Sequence, residues 1–172
     1  VHCAAVNDDV SLSIEDPRDA AGAALIAEMV AFIGRLFPED TEEAEPLWTL
    51  EDIARQGCFI VARVGGAAAG CGGLAPVATD GVLEIVRMYV RPEFRGRRVA
   101  GRILAELERL ASARHVKMLM LRCGPRQPEA LSLYERNGYT RRGVFAHHRN
   151  HPTNLFYEKR LTSADYPCFH AG

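Results

Sequence analysis

One stretch of about thirty residues constrains this chain more than any other. Val82 to Val90 reads as a strand, Arg91-Pro92 ends it, and Arg95-Gly96-Arg97-Arg98-Val99-Ala100 opens a helix that runs to His115. Val99, Ile103, Leu107, Leu110 and Ala111 recur every three or four residues, the period of a helix with one buried face. A strand, a basic glycine-containing loop and a helix start form a ready anion site, because free N–H groups converge where the helix dipole is positive. Arg95, Arg97, Arg98 and Arg102 crowd that opening, and a diphosphate is the natural guest. The same residues also suit a solvated basic loop. A P-loop is excluded because no Gly-Lys-Ser/Thr triplet follows, and a dinucleotide fingerprint because three glycines and a later acid are missing.

The remaining pattern surrounds this unit with strands and helices. Val10 to Ile14 alternates as a half-buried strand, Asp19 to Leu36 has helical spacing with Asp19 as its cap, and Thr41 to Arg55 reads as a second helix. Cys58 to Val64 and Ala67 to Val77 are strands joined by a tight Gly65-Gly66 turn, the glycines of the second implying close backbone approach. Lys117 to Cys123 is a buried-type strand and Pro128 to Asn137 a short helix capped by Gly138. Tyr139 to Ala146 and Asn154 to Leu161 are final strands. The order β-α-α-β-β-β-α-β-α-β-β predicts an α/β (α+β) fold, a mixed central sheet flanked by helices, in a single domain over residues 1–172.

Composition limits the functions available. A net charge of −1 argues against general nucleic-acid binding, and an RNA-binding module built on Arg95 and Arg141-Arg142 lacks interleaved aromatics. No apolar run approaches the roughly 20 residues needed to cross a bilayer, and Val1 to Asn7 has no apolar leader. Cys3, Cys58, Cys71, Cys123 and Cys168 show no CxxC spacing, which points to reduced thiols and a cytoplasmic location. His147, His148 and His151 lack supporting cysteines and read as a solvated loop rather than a metal site.

Three segments together resemble the GNAT N-acetyltransferases. That family carries Arg/Gln-x-x-Gly-x-Gly/Ala at the start of its main helix; Arg95 and Ala100 match the first and last positions, and Arg98 replaces the middle glycine. Leu83 to Pro92 resembles the family's fourth strand. Gln127, Ala130, Tyr134 and Gly138-Tyr139 resemble its Asn-x-x-Ala-x-x-x-Tyr-x-x-x-Gly-Phe segment. The resemblance extends over about the whole chain and implies transfer of an acetyl group from acetyl-CoA to a primary amine of a small molecule or peptide. It implies no metal and a possible homodimer. A GNAT-fold protein that binds acyl-CoA for regulation is the alternative.

By this resemblance, Met88, Tyr89 and Val90 offer main-chain groups to the pantetheine arm. Arg95, Gly96, Arg97, Arg98, Val99, Ala100 and Gly101 hold the pyrophosphate, and Gln127 bonds the cofactor, the competing reading of Gln127 being a helix-entry residue with only a local bond. Ordinary right-handed helical geometry is expected at Arg98, which would leave its guanidinium to assist from outside the backbone nest. Glu84 is the candidate base, the competing reading being a carboxylate paired with Arg87. Tyr134 is the candidate acid, its phenol protonated at neutral pH, the competing reading being a core tyrosine. The acidic run Glu39, Asp40, Glu42, Glu43 and Glu45, beside Phe37 and Trp48, favours a cationic acceptor such as a polyamine, or is simply a charged helix start.

Overall fold

The computed structural model describes residues 9–40, 48–146 and 148–162. Its elements follow the expected order. Strand β1 (Val10–Ile14) leads to helix α1 (Ala20–Leu36) and helix α2 (Leu50–Gln56). Strands β2 (Cys58–Val64), β3 (Ala67–Pro76) and β4 (Val82–Val90) come next, then helix α3 (Val99–Ala113), strand β5 (Met118–Cys123), helix α4 (Pro128–Arg136), strand β6 (Thr140–Arg142) and strand β7 (Leu155–Arg160). The seven strands form one mixed sheet in the order β1-β2-β3-β4-β5-β7-β6, antiparallel throughout except between β4 and β5. None of the helices described is long and apolar enough to cross a membrane.

Each face of the sheet carries its own core. On one side Ile103, Leu104 and Leu107 of α3, at most 1% exposed, pack with Leu83, Ile85, Leu119 and Leu121. Each such side chain stabilises the fold by roughly 1.5–3 kcal/mol. On the other side Leu25 and Ile26 of α1 and Ile53 of α2 cover Phe59, Val61, Cys71, Ala75 and Val86. The glycines of β3 permit this closeness: a Cβ at Gly72 would lie 2.7 Å from Ile103 Cγ2 and 2.5 Å from Met88 Sδ. Cys58 and Cys71 serve as small core residues, and burial pushes their thiols up to about 11 and about 12. Cys3 and Cys168 lie outside the described residues.

Two elements are shorter than their patterns predict. The helix expected over Thr41 to Arg55 begins only at Leu50, residues 41–47 being outside the described set. Thr49 stops it from starting earlier: its hydroxyl accepts from the Asp52 N–H at 3.1 Å while the Asp52 carboxylate accepts from the Thr49 N–H at 2.7 Å. The strand expected over Tyr139 to Ala146 pairs only from Thr140 to Arg142. Beyond it, Ala146 takes a positive φ of 53° and the chain turns back across the sheet. Asp19 stands at the N-cap of α1 as expected, without a side-chain cap bond.

Candidate active site

The site originates in the way β4 and β5 part. Their parallel ladder runs from Val82↔Met118 to Ile85↔Leu121 and ends there, although β4 continues for five more residues. Against β3 the register shifts between Cys71 and Gly73, and Arg87 takes a φ of 56°, so β4 carries a bulge where it leaves β5. Met88, Tyr89 and Val90, the residues expected to offer main-chain groups, therefore lie on a strand edge that β5 no longer covers. The Val90 carbonyl accepts from Arg95 Nε at 3.1 Å.

Alternation sets which side chains face which helices. Leu83 and Ile85 point to α3, so Glu84 and Val86 point to the α1–α2 side. Glu84 is only 3% exposed, and both of its oxygens are engaged. Oε2 accepts the Trp48 indole N–H at 3.2 Å, and Oε1 lies 2.9 Å from His148 Nε2. A buried carboxylate needs such partners, since desolvating it alone costs several kcal/mol. The competing reading, a pairing with Arg87, is absent, and the Arg87 guanidinium instead stacks 5.2 Å from the Trp48 ring centroid.

His148 corrects the reading of the histidine segment as a solvated loop. The turn at Ala146 folds Phe145 and His148 onto β7. There the imidazole meets Phe145 edge-on at 4.8 Å and Phe156 at 5.7 Å. The two aromatic rings hold it against Glu84. His151 bonds Thr153 at 2.8 Å, and Thr153 donates to Asp40 at 3.2 Å, so this loop is tied to the end of α1. His147 lies outside the described residues. Among the described residues no cluster of three or more metal-ligating side chains occurs.

Tyr134 sits on the far side of the gap. Helix α4 follows β5 directly and places its phenol in the core beside Cys123, 5% exposed and edge-on to Tyr139 at 5.7 Å. Burial, reinforced by the neighbouring Cys123, pushes the phenol above its ordinary range, so it carries its proton at neutral pH. Gln127 turns its carbonyl oxygen onto the Gly124 N–H at 3.1 Å, a local bond at the start of α4. Phe37, at the end of α1, packs over Gly124, where a Cβ would lie 2.3 Å from the ring.

The basic loop delivers the helix opening anticipated for an anion. Arg102 N–H makes the first turn-closing bond, to the Arg98 carbonyl at 3.1 Å, so the N–H groups of Val99, Ala100 and Gly101 precede it with no acceptor four residues back. Gly96 has a φ of 77° and open space where a Cβ would stand. Arg98 departs from expectation: its φ of 60° and ψ of 16° are left-handed, not right-handed helical. The reason lies in the chain path, which must reverse between Gly96 and the helix axis. That need explains a glycine preference at this position. Arg95 lies over Phe32 at 5.0 Å and Arg97 over Phe94 at 5.8 Å, while Arg98 and Arg102 are exposed.

A gap between parallel strands, with an anion-ready helix start beyond β4 and a buried carboxylate on that same strand, describes an acyl-transfer scaffold. Residues 26–139 match the family model described as the Acetyltransferase (GNAT) family. An IAA acetyltransferase from Azospirillum brasilense is 34% identical over 155 residues, covering 89% of this chain and 99% of the relative. A Klebsiella pneumoniae protein assigned as an acyl-CoA N-acyltransferase superposes with a TM-score of 0.76 at 32% identity, over 91% of this chain and all of that one. The PaiA N-acetyltransferase from Thermoplasma acidophilum, solved with coenzyme A, shares the fold with a TM-score of 0.62 at 18% identity, over 88% and 99%. The chain belongs to the GNAT family and is an N-acetyltransferase.

Three residues around Glu84 are not marked as its neighbours by the sequence pattern. By local pattern His148 belongs to a solvated loop, Trp48 to an acidic run, and Arg87 to an ion pair with Glu84. The spacing of Phe145 and His148 was the available signal for the first. Nothing local marks the other two, because their contacts come from strand β4 meeting a residue 36 positions from Glu84.

Proposed function

We propose that the protein transfers an acetyl group from acetyl-CoA to a primary amine of a small molecule or peptide, with residues 1–172 acting as one catalytic domain. The observation that carries this reading is the buried Glu84 carboxylate, paired with His148 and set where β4 and β5 separate. The residues fit coenzyme A in two places: the uncovered edge from Met88 to Val90, and the open helix start from Gly96 to Gly101. The coenzyme A complex of the T. acidophilum neighbour supports the same cofactor.

Acetyl-CoA supplies the thioester whose C–S bond breaks as the new C–N bond forms. Within the chain, the Glu84–His148 pair takes the proton that the amine loses, with Trp48 holding the carboxylate in position. A main-chain N–H on the free edge of β4 donates to the carbonyl oxygen as charge builds there. Tyr134 holds its proton at Oη for the departing sulfur, and its burial keeps that proton in place. Gln127 and the arginines from Arg95 to Arg98 border the cofactor path.

Thiol release from acetyl-CoA, measured across a panel of amines, tests this reading. Amine-dependent release that falls at least tenfold in Glu84→Gln supports it. Tight acetyl-CoA binding without release by any amine would replace it with a regulatory acyl-CoA-binding role.

A further inference from the structure

Arg87 has no part in the acetyl-transfer chemistry above, yet its position is unusual for an arginine. Its guanidinium is half-buried on the α1–α2 side of the sheet, stacked on Trp48. Its Nε is buried without a hydrogen-bond partner, and no carboxylate among the described residues pairs with it. Holding a charge this way is costly, since an unmet buried donor costs about 1–3 kcal/mol. Burial, followed by the like charge of Arg122, pulls Arg87 below the usual arginine range. The backbone adds to the cost, because Arg87 occupies a left-handed φ of 56° that arginine does not favour. A residue with packing as its sole task would hardly be an arginine here.

Arg122 faces the same region from the other strand. It projects from β5 just past the last parallel pair, opposite in direction to Leu121, and donates to the Asn154 side chain at 3.3 Å. Two guanidinium groups thus flank the mouth of the gap on the acceptor side, one on each diverging strand. The acid–base pair lies next to them through a continuous chain of contacts: Arg87 over Trp48 at 5.2 Å, and the Trp48 N–H to Glu84 at 3.2 Å. The acidic residues that would favour a cationic acceptor are otherwise employed where they are described. Glu39 pairs with Arg126 at 2.6 Å and Asp40 accepts from Thr153. Glu42, Glu43 and Glu45 lie outside the described residues.

We infer that Arg87, aided by Arg122, binds the carboxylate of the acceptor, so that the substrate is a small amino acid whose amine reaches Glu84 and His148. This deepens the acetyl-transfer reading and rests on it for the fate of the amine, whereas the carboxylate site stands on the two arginines. A guanidinium suits the task because its planar donors match a carboxylate. The Nη nitrogens of Arg87 are the donors a ligand would use. A short acceptor satisfies both ends at once, with the acid held at the mouth and the amine directed inward. It also supplies a counter-charge that no described residue gives Arg87.

The chain has one tryptophan, so intrinsic fluorescence reports on Trp48, the ring that Arg87 covers. With coenzyme A saturating, L-methionine, L-phenylalanine and L-glutamine are titrated against the corresponding amides, and thiol release from acetyl-CoA is measured with the same set plus spermidine. At least one amino acid should shift Trp48 emission saturably and bind about tenfold or more tighter than its amide. Arg87→Met should abolish that preference through KM more than kcat, while its thermal midpoint equals or exceeds that of the parent. Should that variant not fold, Arg122→Gln is expected to weaken acid binding severalfold without altering the amides. Equal binding of acids and amides, or an acid preference that survives in Arg87→Met, would overturn the carboxylate site. Thiol release driven by spermidine or the amides, with no acid preference, would discard this inference and leave acetyl transfer standing. Acid-selective binding with no release by any amine would do the reverse.

Discussion

Arg98→Gly should move two measurements in opposite directions. Arg98 precedes the first turn of α3 with φ 60° and ψ 16°. A left-handed backbone costs an L-residue about 1–2 kcal/mol, and glycine escapes most of that penalty. Glycine in turn loses more backbone entropy on folding, roughly 0.5–1 kcal/mol. The difference leaves the variant about 0.5–1 kcal/mol more stable, worth about 1–4 °C in melting midpoint for a chain of this size. Acetyl-CoA affinity should move the other way. Arg98 is exposed at an open helix start, where a guanidinium adds to phosphate attraction, and its loss should weaken binding by no more than about tenfold. Urea denaturation of the free protein and calorimetry with acetyl-CoA at two salt concentrations read the two effects separately. The affinity loss should shrink at higher salt. A lower urea midpoint for the glycine variant would refute the backbone argument. A tenfold gain in affinity would show that Arg98 obstructs the site rather than assisting it.

Other substitutions probe the remaining parts of the site. Glu84→Gln should depress turnover most near neutral pH and less at high pH, where more of the amine is already free, and a pH–rate profile unchanged from the parent would remove Glu84 as the base. Tyr134→Phe should lower kcat tenfold or more and leave the acetyl-CoA dissociation constant within about twofold, since the hydroxyl matters as sulfur departs; a kcat equal to the parent's would return Tyr134 to a packing role. Gly96→Val should weaken acetyl-CoA binding strongly, because it adds bulk in open space beside the helix start at a φ of 77°; calorimetry showing parental affinity would displace the pyrophosphate from this loop. Bonds from Arg63 and Arg91 hold Glu15 and Glu28 below the usual carboxylate value, so the stability they contribute is present above about pH 4.3 and is lost as pH falls through their lowered values. The melting midpoint should therefore drop on acidification, and less steeply in Glu28→Gln.

The parts of this protein legible in its sequence are those written in local pattern. Helix α3 shows because Val99, Ile103 and Leu107 repeat at the helical period, and the β2–β3 hairpin shows because Gly65-Gly66 meets the demand for positive φ. The cofactor side is legible for the same reason, being one contiguous strand, loop and helix. Conformation within that unit was less so. Arg98 carries no sign of its left-handed backbone, since its geometry is imposed by the path between Gly96 and α3.

The acceptor side follows a different logic. Glu84 could be picked from its strand, but its environment comes from Trp48 and His148, which are 36 and 64 positions away and meet only on the folded sheet. Turning at Ala146, a residue with no preference for positive φ, the chain brings Phe145 and His148 onto Phe156, and the apolar cage then outweighs the polar look of the local sequence. Arg87 shows the same dependence in its sharpest form. In sequence it is an arginine three residues from a glutamate, an ordinary candidate for an ion pair. On the bulged strand its side chain goes to the indole instead, and Glu84 is left to His148. On a regular strand residues three apart face opposite sides of the sheet, so it is the bulge that brings Arg87 round to the face of Glu84, where Trp48 contacts both. That arrangement sets the proposed base and a cation with no carboxylate partner among the described residues side by side on the same face. A substrate bearing both an amine and a carboxylate answers both needs.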